Sequence, residues 1–131
     1  MSVMVDSSVW INHIIGRDTP SVAKLRSLLQ QESQTLMTAD LVILEVVRGF
    51  RSDKLATDMA LKMQKLDIAE LGGIDACLRA ANLYRKLQAG GTTVGKTVDL
   101  LIASWCLHEE AALLHDDKDF KPFEKLGLRC I

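Results

Sequence analysis

Val3-Met4-Val5-Asp6-Ser7-Ser8-Val9-Trp10-Ile11 is the stretch that decides the fold, because an apolar run stops abruptly at a carboxylate followed by two hydroxyls. Val3 to Val5 is too short and too β-branched for a helix and reads as a strand buried on both faces. Asp6 then stands at its carboxyl end. Ser7 or Ser8 caps the next helix, which runs through Trp10, Ile11, Ile14 and Ile15 until Gly16 stops it. Strand, polar tip and helix open an α/β fold, and in open parallel sheets ligand sites lie outside the carboxyl ends of strands. That is where Asp6 is expected.

Beyond this stretch, Arg17-Asp18-Thr19-Pro20 is a turn, and Val22, Leu25, Leu28 and Leu29 then recur at helical spacing. Leu36 and Met37, between Thr35 and Thr38, form a short strand, with Thr38 or Asp40 available to cap the helix after it. The segment from Leu41 to Gly49 is almost wholly apolar except for Glu45, and Gly49 ends it. A helix from Ser52 to about Lys65, a strand from Asp67 to Glu70, the break Gly72-Gly73 and a helix from Ile74 to Gln88 come next. The loop Gly90 to Gly95 leads into a helix from Lys96 to about His108 that carries Asp99 in its first turn. Ala111 to Leu114 is a strand tipped by His115-Asp116-Asp117-Lys118-Asp119-Phe120, and Leu128 to Cys130 is a last short strand. Strands alternating with helices predict a parallel or mostly parallel sheet with right-handed crossovers.

The 131 residues suit one domain, and 48% apolar with 25% charged residues is ordinary globular composition. Lys and Arg number 16 against 17 Asp and Glu, for a net charge of −1, so no overall basic surface recruits nucleic acid. An RNA substrate requires local basic patches or bound cations. Cys77, Cys106 and Cys130 are widely spaced and form no CxxC pair, which reads as buried thiols of a reducing compartment rather than a zinc site. No apolar run reaches the roughly 20 residues of a membrane span, and Asp6 interrupts any signal-peptide core. A cytoplasmic protein with no membrane partner is expected.

Four acids sit where acids are least expected: Asp6 and Asp117 at strand tips, Glu45 inside an apolar helix, and Asp99 opening another. Each alone has a structural alternative. Asp6 serves as a helix cap, Asp99 complements a helix dipole, Asp117 is a turn residue, and Glu45 pairs with Arg48 one turn on. Together they converge on one cleft in a doubly wound sheet. At roughly 5 Å and an effective dielectric near 20, each like-charge pair there costs about 3 kcal/mol. Either some acids protonate or a cation neutralises them. The donors are all oxygens, so a hard cation such as Mg2+ or Mn2+ fits and structural zinc does not. Such a site suits attack on phosphodiesters. Ser7 is positioned to hold a water or ligand oxygen there, or to cap the helix.

Val-Asp-Ser-Ser-Val-Trp-Ile near the start, Glu45-Val-Val-Arg-Gly followed by Phe50-Arg51-Ser52-Asp53, Asp99-Leu-Leu-Ile-Ala, and Asp117-Lys-Asp-Phe120 together resemble the PIN-domain ribonucleases, and more narrowly the VapC toxins of bacterial toxin–antitoxin pairs. The similarity covers essentially the whole chain. It implies a single PIN domain over residues 1–131, a three-layer sandwich with a central parallel five-stranded sheet flanked by helices. It implies Asp6, Glu45, Asp99 and Asp117 as the catalytic and metal-binding quartet of a Mg2+- or Mn2+-dependent endoribonuclease. It further implies a homodimer restrained by a cognate VapB-type antitoxin, and cleavage of structured RNA such as tRNA or rRNA. The family's last motif commonly has Thr or Ser two residues before the acid, where this chain has His115. Asp116 and Asp117 both stand for the fourth acid; the spacing to Phe120 favours Asp117, with Asp119 an acid beyond the direct ligands or on the surface.

Arg48, Arg51, Lys96 and Lys118 are the candidates for contacts to RNA phosphate. Gly90 to Thr97 also satisfies G-x-x-x-x-G-K-[ST], a phosphate-cradling pattern that requires a strand immediately before it. Here the preceding segment has helical period, so a plain connection between helices is the favoured reading and nucleotide binding the rival. A phospho-acceptor receiver domain would want paired acids after the first strand. A stand-alone PIN nuclease outside any toxin–antitoxin pair, or a nuclease-derived module without catalysis, are the nearer alternatives. His13, His108 and His115 share no metal-ligand spacing, and Trp10 and Trp105 belong to apolar helical runs.

Overall fold

The computed structural model describes residues 2–31 and 35–131. In strand β1 (Ser2–Val5) successive side chains point to opposite faces of the sheet, and Val3, Met4 and Val5 are all at most 1% exposed. Both faces of β1 are therefore covered. The chain continues through α1 (Ser7–Ile14), α2 (Pro20–Gln30), β2 (Thr35–Ala39), α3 (Asp40–Val47), α4 (Asp53–Met63), β3 (Asp67–Ala69), α5 (Ile74–Ala89), α6 (Thr97–Glu109) and β4 (Ala112–Leu114). A 3-10 turn (Lys118–Phe120) and α7 (Lys121–Glu124) close it.

The sheet is parallel, with the order β3-β2-β1-β4. The chain leaves β1 toward β2 and β3, then returns to β1's other side as β4. Helix α1 packs on α2 and α3, and α3 on α4, whereas α5 packs on α6, which also touches β4. No described helix is long and apolar enough to cross a membrane.

Two local expectations are corrected. The sheet has four strands rather than five, because the predicted strand at Leu128 to Cys130 makes only one bridge, Leu113 to Cys130. Helix α7 and the turn at Gly127, with φ 101°, bring the chain alongside β4 only at its last residues. Neither Thr38 nor Asp40 caps α3: Ala39 holds the cap position, and Thr38 is buried in β2. Asp40 instead sits in the first turn, where its Oδ1 accepts from the Leu41 amide at 2.8 Å and the Leu71 amide at 2.9 Å. Gly90 to Thr97 follows helix α5, not a strand, as the favoured reading of a connection between helices expected, so the rival phosphate-cradling reading loses the geometry it needs.

The Asp40 carboxylate joins the start of α3 to the segment after β3, serving two amides, one of them on fully buried Leu71. Asp40→Ala should cost about 2 kcal/mol of stability, since it strands both donors. Urea unfolding measures it; a loss under about 0.5 kcal/mol would show that water replaces the carboxylate without penalty.

Candidate active site

Because the strand order reverses beside β1, a crevice opens outside the carboxyl ends of β1 and β4. Asp6 follows β1 and His115 to Asp117 follow β4, so the topology brings these tips together. The Asp6 amide donates to the Leu114 carbonyl at 3.0 Å, tying them. Asp6 rather than Ser7 or Ser8 caps α1: its Oδ2 accepts from the Ser8 amide at 3.1 Å and the Ser8 hydroxyl at 2.6 Å. Ser7 donates to Glu45 Oε1 at 3.0 Å, a contact in place of the alternative Glu45–Arg48 pair. Glu45 thus faces the crevice from α3.

Asp99, in the first turn of α6, is 6% exposed. Carboxylate oxygens of Asp99, Asp117 and Asp119 lie within 4.8 Å of one another. Asp119, expected farther out, therefore joins this group. Asp6 and Glu45 lie at its edge, close enough that their charges push on Asp99. Asp116 turns away from the acids. Its Oδ2 accepts from Asn12 at 2.9 Å and Thr19 at 2.8 Å, and its amide donates to the Ser8 hydroxyl at 3.0 Å. No signal in the sequence marked Asn12 or Thr19, which are ordinary polar residues whose part depends on a contact about a hundred residues away.

Lys96 Nζ reaches Asp117 at 3.0 Å and Asp119 at 3.3 Å. Arg48 and Lys96 line, with Glu45 and Asp99, a cavity of about 300 Å³. Arg51 and Lys118 are exposed. The acids divide electrostatically into two kinds. Burial favours a raised pKa for Asp117, but the Asp119 amide and Lys96 outweigh it and hold the carboxyl below its ordinary value. Burial raises Asp6 despite the Ser8 hydrogen bonds, and burial with the charges of Asp6 and Asp117 pushes Asp99 up to about 7. Those two acids also carry buried oxygens without a hydrogen-bond partner among the described residues, Asp6 Oδ1 and Asp99 Oδ2. Buried, unpartnered, oxygen-only donors fit a hard divalent cation.

The PIN domain family model matches residues 3–126. Ribonuclease VapC11 of Mycobacterium tuberculosis is 24% identical over 118 residues, covering 90% of this chain and 88% of that protein. Among solved structures, VapBC2 from Rickettsia felis bound to a DNA fragment from its promoter superposes with a TM-score of 0.76 at 20% identity, covering 100% of this chain and 98% of the matched one. VapBC-1 from nontypeable Haemophilus influenzae gives a TM-score of 0.75 at 20% identity, covering 100% and 97%.

Folded, Asp99 keeps its proton to about pH 7, against an ordinary value of 3.8. Between those values the folded chain binds more protons than the unfolded one, so metal-free protein should lose stability as pH rises through that window. Asp99→Asn should flatten the slope and stabilise the metal-free chain by roughly 1–3 kcal/mol at neutral pH. Urea unfolding as a function of pH checks this, and a slope unchanged by the substitution would remove Asp99 as its source.

Proposed function

This chain belongs to the PIN domain family, and from that premise we propose that it is a metal-dependent endoribonuclease of the VapC toxin type. Asp6, Glu45, Asp99 and Asp117 would hold Mg2+, or Mn2+ in its place, with Asp119 beside them. The observation that carries this reading is the pair of buried, unpartnered carboxylate oxygens on Asp6 and Asp99 at the strand-order reversal. When bound, such a cation acidifies water and offsets negative charge on a phosphodiester. The chain's own groups do the positioning. Ser8 fixes the Asp6 carboxylate and Ser7 fixes Glu45. Arg48 and Lys96, at the cavity beside Glu45 and Asp99, are placed to meet RNA phosphate. Arg51 and Lys118 lie on the surface as more distant phosphate contacts.

The relatives' names support the rest of the proposal. The VapC11 relative is a ribonuclease, and two of the solved structures are VapBC. A cognate VapB-type antitoxin, a homodimer and a single domain spanning residues 1–131 complete the reading, with structured RNA such as tRNA or rRNA as the substrate. Ile74 and Leu78, 72% and 57% exposed on α5, offer apolar surface of the kind a dimer covers.

Cleavage of structured RNA should stop on chelation of divalent ions and return with Mg2+ or Mn2+. Asp6→Asn and Asp99→Asn should each lower kcat by about 10²-fold or more, the loss of several kcal/mol of charge stabilisation. Parental rates in both variants would refute the assignment. Lys96→Ala should weaken RNA binding and reduce its log–log salt slope by about 1. An unchanged slope would place Lys96 off the RNA path.

A further inference from the structure

The residue in place of the family's Thr or Ser before the last acid, His115, is not isolated. It leaves the end of β4 with its ring against Phe120, at a centroid separation of 4.9 Å. Beside it, Glu124 comes from α7 and Cys130 from the segment bridged to Leu113. One donor atom from each of the three lies within 4.8 Å of the other two. His115 and Cys130 are half-buried and Glu124 is exposed, so solvent reaches the group. Three successive segments at the C-terminal end thus bring an imidazole nitrogen, a carboxylate oxygen and a sulfur close together. This donor set differs from the all-oxygen crevice next to it. Burial and the neighbouring Glu124 push the Cys130 thiol up to about 11, so with no cation present it is a neutral S–H and not a nucleophile.

We infer that His115, Glu124 and Cys130 form a second metal site, selective for a borderline-soft divalent cation such as Zn2+ or Co2+ and separate from the acidic crevice. Mixed nitrogen, oxygen and sulfur donors suit such ions, and three protein ligands leave a fourth position for water. Tetrahedral coordination at those bond lengths puts ligand atoms roughly 3.5 Å apart, so from separations of at most 4.8 Å only small side-chain movements are needed. As the metal–sulfur bond forms, the S–H bond breaks and its proton passes to solvent. The metal keeps its oxidation state.

The site is coupled to the acids through one hydrogen bond. His115 Nδ1 accepts from the Asp117 amide at 3.1 Å. A neutral imidazole bound to metal through Nε2 carries its proton on Nδ1, which then faces the Asp117 N–H as a second donor. Binding through Nδ1 displaces that N–H outright. Either way the cation competes with the bond that orients Asp117, and its occupancy opposes the crevice geometry. This consequence rests on the nuclease reading, whereas metal binding does not.

Titration of the metal-free full chain with Co2+ tests both parts. A thiolate-to-cobalt charge-transfer band in the near ultraviolet should appear and saturate at one equivalent, and Zn2+ should abolish it. The acidic crevice has no sulfur and contributes no such band. Cys130→Ser should eliminate the band, and Glu124→Gln should weaken Co2+ binding about tenfold or more, while both keep the parental circular dichroism and Mg2+-dependent cleavage. Absence of the band, or a band of parental intensity in Cys130→Ser, would overturn the site. In Mg2+-supported cleavage, low Zn2+ should inhibit the parent more than Cys130→Ser. Equal inhibition alongside an intact charge-transfer result would overturn the coupling alone. A chain that shows the band yet cleaves no RNA would count against the nuclease reading and leave the metal site standing.

Discussion

Like-charged carboxylates forced together where water is scarce are the constraint on which this molecule turns. The order β3-β2-β1-β4 reverses direction beside β1, and the reversal leaves a crevice that the tips of β1 and β4 must line. Asp6 and Asp99 are nearly inaccessible there, at 2% and 6% exposure, and each has a buried oxygen that no donor among the described residues serves. A fold optimised only for stability would not keep two such acids, since buried charge without a partner costs more than an apolar replacement. Their retention is intelligible if a cation completes the site.

The protein invests further structure in holding this arrangement. Ser8 accepts from the Asp116 amide and donates to Asp6, so one hydroxyl links the two strand tips. Asp116 is itself fastened to Asn12 and Thr19, and Phe120 and Phe123 are wholly buried behind the tip. The burial of those rings keeps the turn around Asp117 from drifting. Lys96 pairs with the exposed side of the group, Asp117 and Asp119, and offsets the raised pKa of Asp99 only in part, leaving Asp6 Oδ1 and Asp99 Oδ2 without a hydrogen-bond donor among the described residues. The interior part of the crevice therefore stays attractive to a cation while the outer part already has one.

The α/β class and the strand tips were legible in sequence because a fully buried strand must be apolar and must end at a polar residue, as Val5 and Asp6 do. Helix periods placed Asp99 and Glu45 for the same reason. What sequence did not reveal depends on contacts between distant segments. Sequence offered Asp6, Ser7 and Ser8 alike as the cap of α1, and the choice fell to Asp6 because Ser7 is drawn to Glu45 and Ser8 to Asp116. Asp40 was drawn from capping to the Leu71 amide. Helix α6 ends on Glu110 with φ 56°, a conformation for which glycine would have been the visible signal. The fifth strand failed because apolar, β-compatible residues at Leu128 to Cys130 say nothing of how late the chain arrives beside β4. Of the three cysteines expected to be buried only Cys106 is, Cys77 being exposed; half-buried Cys130, which spacing alone dismissed as a metal ligand, meets His115 and Glu124 only in three dimensions.

The central claim is that the inner acids exist to hold a hard divalent ion, and the uptake of Mn2+ followed through the electron paramagnetic resonance of the free aqua ion tests it most directly. Saturable uptake by the parent chain, displaced by Mg2+ and lost in both Asp6→Asn and Asp99→Asn, is the predicted result. Uptake that is absent, or that survives intact in both variants, would contradict it.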